Sequence, residues 1–350
     1  MGEWGTRGLG EWGTAGCCHV VLFVCKFTYG SIRNWTMRFG LHLPHYSAVA
    51  GTPDDLVRFA VRGEQLGFCC LSFSDHIVIP RTVDSPYPYT ADGKYRGTGA
   101  HLEQLTLLSY LAGATQRIRL VPSVMVVPHR NPIVVAKMLA TLDVLSHGRL
   151  TLGVGTGWMR EEFEVLGLPF FEARGAVTDE YIRAWQELWT SDNPVFNGQY
   201  CSFSQIVFEP KPVQQPSIPI WIGGHSRRAL RRVAELGDGW HPIGGIPSVP
   251  LEPERLRQDL AVLDTLLQRQ GRRRADITVS FKPSQFDVRE QVVGGRRRRF
   301  TGSAEAIASD IRTYEDAGVD ALIFDAKAES PNATLERIEW LAKEVLQISE

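Results

Sequence analysis

The sequence predicts a single (β/α)8 barrel with insertions. Short apolar segments alternate with helix-period segments from Met37 almost to the end of the chain. This alternation is typical of a parallel sheet whose strands are joined by helices. Eight such strand–helix units can be counted. That number favours a closed barrel over an open doubly wound sheet, the alternative, which needs only about five or six strands.

The strands and helices of these units are assigned by pattern. The strands are predicted at 38–43, 69–73, 118–124, 149–154, 218–222, 239–242, 276–281 and 320–325. The helices are predicted at 53–66, 102–115, 132–146, 174–190, 226–236, 252–270, 303–317 and 332–347. Thr52-Pro53-Asp54-Asp55 supplies a cap, a first-turn proline and acids that favour a helix start.

Composition and charge exclude several classes of protein. The chain has 38 Lys and Arg against 39 Asp and Glu, so its net charge of −1 argues against capture of nucleic acid or an anionic membrane. No uncharged apolar run is long enough to predict a transmembrane helix. The six cysteines form neither a disulfide framework nor a zinc motif, so we expect no metal site and a cytoplasmic location.

The first 36 residues differ from the rest of the chain. Residues 2–6 read Gly-Glu-Trp-Gly-Thr and are repeated at 10–14, a composition that builds no core. The apolar run from Cys17 to Phe27 resembles part of a secretion signal, but Glu3 and Glu11 and the absence of a clear cleavage site argue against that. We therefore expect residues 1–36 to be an unstructured extension and residues 37–350 to form the barrel domain.

An acid and a histidine follow the second predicted strand in Ser74-Asp75-His76. A carboxylate beside an imidazole can orient the ring and tune its affinity for a proton. The pair also fits a helix-cap Asp with a surface His. Its place at the C-terminal end of a strand, where barrels build active sites, favours the catalytic interpretation.

Two glycine-rich turns follow the fourth and fifth predicted strands. Leu152-Gly-Val-Gly-Thr-Gly-Trp158 is not a dinucleotide-binding fingerprint, because Trp158 takes the place of its third glycine. Pro219-Ile-Trp-Ile-Gly-Gly-His-Ser226 ends at a predicted helix start, where free N–H groups, the helix dipole and a hydroxyl form an anion pocket. A plain Gly-Gly turn with a Ser cap is the alternative interpretation.

Three segments are too long for simple turns. Segments 74–101 and 282–301 follow strands, so we expect them to cover the mouth of the barrel, and 191–217 is predicted as a small β excursion. Arg296 to Arg299 lie in segment 282–301 and fit either a site for a polyanion or a solvated loop. Tyr87, Tyr89, Tyr95 and Trp158 fit either a hydrophobic substrate pocket or the packing of a loop.

Together these segments resemble the luciferase-like monooxygenase superfamily, and more narrowly its deazaflavin (coenzyme F-420)-dependent oxidoreductases. The resemblance runs from Met37 to about Leu346. The segments that carry it are Ser74-Asp75-His76, Val127 to Pro132, Gly148 to Trp158, Lys211-Pro212 with Pro219 to Gly224, and Gly237 to Trp240.

The resemblance implies a flat tricyclic cofactor in the barrel mouth. Asp75 and His76 would lie beside its ring, and Ser123–Val124 matches a bulge with a non-proline cis peptide that backs the ring. Other residues implied at the cofactor are Gly155, Thr156 and Gly157 at its border and Gly223, Gly224, His225 and Ser226 at its phosphate. In the sugar-phosphate dehydrogenase branch an acid stands at the position of Trp158, so this chain departs from that branch.

The implied activity is hydride transfer between the deazaflavin and a small organic substrate. His76 would move the proton, and Asp75 would orient His76 or contact the edge of the ring. A second hypothesis keeps the fold but uses reduced flavin mononucleotide (FMN) and oxygen, as a monooxygenase does. A third is a non-catalytic flavin-binding barrel. The resemblance also implies a homodimer.

Overall fold

The barrel predicted from the sequence is present. The computed structural model describes residues 35–45, 51–97, 100–246, 248–284 and 286–347, so residues 1–34 of the predicted extension lie outside the described residues. Trp35 and Thr36, which precede the predicted domain start, contact the barrel. Trp35 Nε1 donates to the Leu346 carbonyl at 3.2 Å, and Thr36 Oγ1 donates to Glu315 Oε1 at 2.6 Å.

Parallel strands form the wall of the barrel. In chain order the strands are β1 Arg38–His42, β2 Cys70–Phe73, β3 Arg119–Pro122, β4 Met125–Val126, β5 Leu152–Gly155, β6 Phe196–Asn197, β7 Ser202–Phe203, β8 Ile220–Gly223, β9 Gly239–His241, β10 Ile243–Gly244, β11 Thr278–Pro283, β12 Val292–Val293, β13 Arg296–Arg297 and β14 Ala321–Asp325. The main sheet runs β3-β2-β1-β14-β11-β9-β8-β5-β4, and a parallel bridge between Leu120 and Leu150 closes it. All eight predicted barrel strands are therefore confirmed to within a few residues.

Helices cover the outside of the barrel. They are α1 Pro53–Gln65, α2 Gln104–Ala114, α3 Pro132–Leu145, α4 Arg160–Val165, α5 Arg174–Thr190, α6 Arg227–Leu236, α7 Pro253–Arg269, α8 Ala304–Glu315 and α9 Pro331–Trp340. The cap predicted at Thr52 is present, since its side chain accepts from the Asp55 N–H. The pattern did not predict α4, and the last predicted helix continues past α9 as a π-helix, Leu341–Leu346.

Three further expectations concern the long segments. The β excursion at 191–217 is the antiparallel pair β6–β7, and segment 282–301 contains the pair β12–β13. The run from Arg296 to Arg299 fits the solvated-loop interpretation only in part, since Arg296 is exposed but two of the other arginines form ion pairs within the chain. Arg297 and Arg299 both pair with the buried Asp310, and Arg299 also pairs with Glu252 at 2.6 Å.

The barrel interior changes from apolar to polar along its axis. Its apolar floor is a small buried cluster of Cys70, Val121, Trp221 and Ile323, separate from the main core between strands and helices. Side chains alternate along a strand, so the next inward position is two residues on. At β2 and β3 these next positions are Ser72 and Ser123, and both are buried. The C-terminal half of the interior is therefore lined by polar groups, which is where a barrel places its site.

Helix α6 carries an arginine-rich stretch on its outer side. Among the described residues, no helix has the length and apolar composition needed to cross a membrane. The three cysteines within the described ranges, Cys69, Cys70 and Cys201, are free thiols.

Arg149 holds the N-terminal end of the barrel together. It is 7% exposed, and its guanidinium donates to the carbonyls of Ala112, Thr115, Ile118 and Ser146 at 2.7–3.1 Å. We expect Arg149→Met to lower the free energy of unfolding by about 3 kcal/mol, because buried carbonyls lose their donors. Urea denaturation measures the change.

Arg117→Met is the matched control for that variant, because Arg117 lies in the turn after α2 whose carbonyls Arg149 binds, but its own side chain is exposed. Its free energy of unfolding should stay within about 0.5 kcal/mol of the unaltered protein. Equal stability of the two variants would contradict the role given to Arg149.

Candidate active site

A cavity of about 250 Å³ opens at the C-terminal ends of the strands. Its lining comes from residues that are far apart in the sequence but follow or end parallel strands. They are Ser74, Asp75, His76, Tyr87, Pro88, Tyr89, Ser123, Val124, Val126, His129, Gly155, Thr156, Gly157, Trp158, Met159, Glu162, Gly223, Gly224, His241, Ile243 and Lys282.

The third strand of the barrel is broken at the cavity. Its first half, β3, pairs with β2, and its second half, β4, pairs with β5. The Ser123–Val124 peptide between the halves is cis, as the resemblance implied. Ser123 Oγ lies 2.9 Å from His241 Nε2. His241 Nδ1 lies 3.1 Å from the Ser280 carbonyl, which only accepts, so Nδ1 carries the proton and Ser123 donates to Nε2.

Val124 forms an apolar wall of the cavity between two glycines. A Cβ added to Gly155 would lie 2.6 Å from Val124 Cγ2, and one added to Gly223 would lie 3.0 Å from Val124 Cγ1. The glycines therefore leave the Val124 side chain room to lie between β5 and β8. We call Val124 with Gly155 and Gly223 the Val124 wall.

A buried carboxylate fixes the His76 ring. His76 Nδ1 donates to Glu162 Oε2 at 2.8 Å, while Glu162 Oε1 accepts from the N–H groups of Ile77 and Val78 at 2.8 and 3.2 Å. Burial raises the pKa of Glu162, but the bonds from His76 and Ile77 outweigh it, so the net pKa lies below its ordinary value. Because an ionised carboxylate only accepts, the neutral His76 ring carries its proton on Nδ1.

Asp75 has a different partner from the one predicted. Its two carboxylate oxygens accept from Arg130 Nη1 and Nη2 at 2.8 Å each, and Oδ2 also accepts from the Val126 N–H at 2.9 Å. Burial raises the pKa of Asp75, but Arg130 outweighs it and the pKa lies below its ordinary value. The prediction that Asp75 orients His76 is therefore wrong. The Asp75 carboxylate bonds Arg130 and the Val126 N–H, whereas the His76 ring bonds Glu162.

Aromatic residues form the outer wall of the cavity. The ring centroid of Trp158 lies 4.8 Å from that of Tyr87, and the Tyr87 and Tyr89 centroids are 5.5 Å apart. Glu161 ties the loop that carries these tyrosines to α4, since its Oε1 accepts from the Asp84 and Ser85 N–H groups at 2.9 and 2.8 Å. The prediction that segment 74–101 covers the barrel mouth is confirmed.

His241 and Lys282 line the cavity, and two further buried histidines, His42 and His45, lie close enough to Lys282 to interact with its charge. Burial lowers the pKa of His241 and that of His45 to about 4 each, so both rings are neutral near pH 7. His42, whose Nδ1 lies 2.9 Å from Ser72 Oγ, has a pKa lowered by burial and by Lys282. Burial also lowers the pKa of Lys282 to about 8.

Nine of the predicted site residues line the cavity together: Asp75, His76, Ser123, Val124, Gly155, Thr156, Gly157, Gly223 and Gly224. The other two, His225 and Ser226, lie outside its lining at the start of α6. The Ser226 side chain accepts from the Ala229 N–H at 3.2 Å and so acts as the helix cap. The cofactor-binding role of all these residues stays a prediction.

Sequence reasoning missed Glu162, His241 and Lys282. The sequence motifs assign no site role to Glu162, yet its side chain is buried, with 1% of its surface exposed. Spacing could have identified Glu162, because Met159, Glu162 and Phe163 share one helix face whose two other members are apolar. For Lys282 the signal is two-residue alternation with Ser280 on β11, which places both side chains inside the barrel.

Comparison with known proteins gives the family. The model of the luciferase-like monooxygenase family matches residues 37–286. An uncharacterized protein of Mycobacterium tuberculosis is 36% identical over 193 residues, 55% of this chain and 66% of that protein. An F-420-dependent glucose-6-phosphate dehydrogenase of Amycolatopsis mediterranei is 33% identical over 192 residues, 54% of this chain and 53% of that enzyme.

An enzyme named for the other cofactor is similar too. The FMNH₂-dependent dimethylsulfone monooxygenase of Pseudomonas putida is 34% identical over 145 residues, 41% of this chain and 39% of that enzyme. Among solved structures, a monooxygenase from Streptomyces bottropensis has a TM-score of 0.72 at 18% identity and covers 89% of this chain and 99% of its own, which shows the shared fold. The chain thus spans somewhat under two thirds of the curated relatives it matches.

The chain belongs to the luciferase-like monooxygenase family of oxidoreductases. Its fold, its cavity at the C-terminal end of the barrel and the cis peptide behind that cavity agree with the resemblance found from the sequence.

The buried pair of Asp75 and Arg130 gives a test of the site's construction. We expect Asp75→Asn to lower the free energy of unfolding by about 3–5 kcal/mol, because Arg130 is left buried with a weakened partner. Denaturant unfolding measures the loss. The control is Asp92→Asn, which breaks an exposed pair with Arg96 and should change the free energy of unfolding far less, because solvent screens that pair. If the free energy of unfolding fell equally little in both variants, the Asp75–Arg130 pair would not be important for stability.

Proposed function

We propose that the protein is a deazaflavin (coenzyme F-420)-dependent oxidoreductase that transfers a hydride between the cofactor and a small organic substrate. The observation that carries the proposal is the His76–Glu162 pair on the cavity wall, with Nδ1 bound to the carboxylate at 2.8 Å. When bound, a deazaflavin accepts or gives a hydride, and the substrate must exchange one proton as well. The chain's residues have to supply that proton transfer.

His76 is suited to this transfer at Nε2. With Nδ1–H held by Glu162, the neutral ring presents a lone pair at Nε2, and no described residue bonds that atom. An alcohol substrate would give its proton to Nε2, and the imidazolium formed would be stabilised by the Glu162 carboxylate. In the reverse direction the same atom would return the proton to the substrate oxygen.

The cavity fits a flat cofactor. The Val124 wall offers an apolar surface beside the His76 side of the cavity, and glycines at 155, 157, 223 and 224 keep side chains away from its rim. Gly157 and Gly224 have φ of +83° and +87°, a conformation that favours glycine. Helix α6 begins just beyond Gly224, so its free N–H groups would face a phosphate at the mouth.

The second candidate is an FMN-dependent monooxygenase of the same fold. The similarity to the FMNH₂-dependent dimethylsulfone monooxygenase supports it. Fluorescence titration with coenzyme F-420 and, separately, with FMN tests the two. We expect tighter binding of the deazaflavin. Preference for FMN, with oxygen consumed by the reduced complex, would favour the monooxygenase, and binding of neither would favour a non-catalytic barrel. A cytoplasmic homodimer stays the predicted form of the protein.

The role of His76 can be tested directly. We expect His76→Ala to bind the cofactor with unchanged affinity but to lose about 10²–10⁴-fold in turnover, because proton transfer is lost. Glu162→Gln should lose less, since the ring keeps a partner but loses its stabilising charge. Steady-state kinetics and cofactor titration measure the two effects.

His147→Asn is the control for these variants, because His147 is exposed and distant from the cavity lining. Its turnover should equal that of the unaltered protein. Full activity of His76→Ala would overturn the proposed proton transfer.

A further inference from the structure

One buried cation faces the cavity without a bonded partner. Lys282 lies on β11, is 9% exposed and lines the cavity. In the described part of the chain, no hydrogen bond or ion pair reaches its Nζ atom. A buried ammonium is costly unless something pairs with it, so a group of this kind inside a cavity points to a ligand.

The groups around Lys282 do not supply that partner. Asp325 on β14 is the carboxylate that acts on its charge, but it does not reach ion-pair distance, and its Oδ1 accepts from the Lys327 N–H. The other titratable neighbours are His42, His45 and His241, from β1, the segment after it and β9. Burial keeps these three rings neutral, so none of them supplies a negative charge to pair with the ammonium.

The sheet order places Lys282 opposite the Val124 wall. Strands β2, β1 and β14 separate β11 from the third strand on one route, and β9, β8 and β5 separate them on the other. A ring lying on the Val124 wall would therefore leave the Lys282 side of the cavity to another molecule. Tyr87, Tyr89 and Trp158 give that same cavity an aromatic outer wall.

We propose that Lys282 binds the anionic group of the substrate, and that the substrates are flat, apolar carboxylates enclosed between this ammonium and the aromatic wall. An ammonium–carboxylate bond in a site shielded from water is both strong and selective for charge. The inference rests on the proposed function for the chemistry that follows binding, but the binding itself can be measured separately.

Benzoate is the probe, and benzamide is its neutral analogue of nearly the same shape. Isothermal titration calorimetry on the cofactor-free full chain at pH 7 should show saturable benzoate binding, with benzamide bound about tenfold to a hundredfold more weakly. Lys282→Met should lose a similar factor for benzoate and leave benzamide unchanged. Lys343→Met, which removes an exposed lysine, should bind both probes as the unaltered protein does.

Thermal unfolding distinguishes this role from a structural one. Lys282→Met replaces an unpaired buried charge by an apolar chain of similar length, so its melting temperature should rise. Lower stability would mean that the ammonium holds the fold together. The proposal would be overturned by that result, by equal binding of benzoate and benzamide, by full benzoate affinity in Lys282→Met, or by no benzoate binding.

The pH dependence provides an independent check. Benzoate stays ionised above about pH 5, and the ammonium loses its proton around its pKa of about 8. Binding should therefore be strong between pH 5 and 7 and decline above pH 8, with the neutral histidines contributing no change in that window. Benzamide binding should be flat throughout. The benzoate and benzamide titrations use the cofactor-free protein, so their results can be interpreted even if the protein does not bind the deazaflavin.

Discussion

The bond between the Asp75 carboxylate and the displaced half of the third strand is the interaction on which the site depends. Asp75 lies just after β2, and it accepts from the Val126 N–H of β4 at 2.9 Å while pairing with Arg130. The third strand can then leave β2 after Pro122 and join β5 at Met125. The bulge between these points carries Ser123 and Val124 into the cavity. Asp75 therefore holds β4 at the position that places Val124 between Gly155 and Gly223.

Two buried carboxylates of similar burial have different tasks because their neighbours differ. Asp75 faces a guanidinium that is permanently charged, so its negative charge is neutralised and serves the fold. Glu162 faces His76, whose ring can accept a proton at Nε2, so the negative charge of Glu162 would stabilise the imidazolium in the proposed proton transfer. Glu162 also holds the backbone at Ile77 and Val78, which couples the position of the His76 ring to that of α4.

The sequence predicted the strands and helices of the barrel better than the side-chain contacts within the site. Strand positions follow from apolar runs and helix starts from local caps such as Thr52, and both signals lie within a few residues. The partner of His76 lies 86 residues away, and that of Ser123 lies 118 residues away. Such pairs depend on how strands are ordered around the barrel, which no local pattern contains. The assignment of Asp75 failed for the same reason, because adjacency in sequence was taken for contact in space.

The C-terminal half of the barrel interior carries polar side chains in place of the apolar ones that would pack most tightly. Its floor is a cluster of four apolar side chains, and above it the inward positions of the strands carry Ser72, Ser123, Ser280, His241 and Lys282. Filling those positions with branched apolar residues would give a tighter core, as buried polar groups are stabilising only when their bonds are complete. Most of these bonds are complete: Ser123, His241 and Ser280 form one connected chain. The Lys282 ammonium is outside that chain and lines the cavity, where the proposed carboxylate substrate would pair with it.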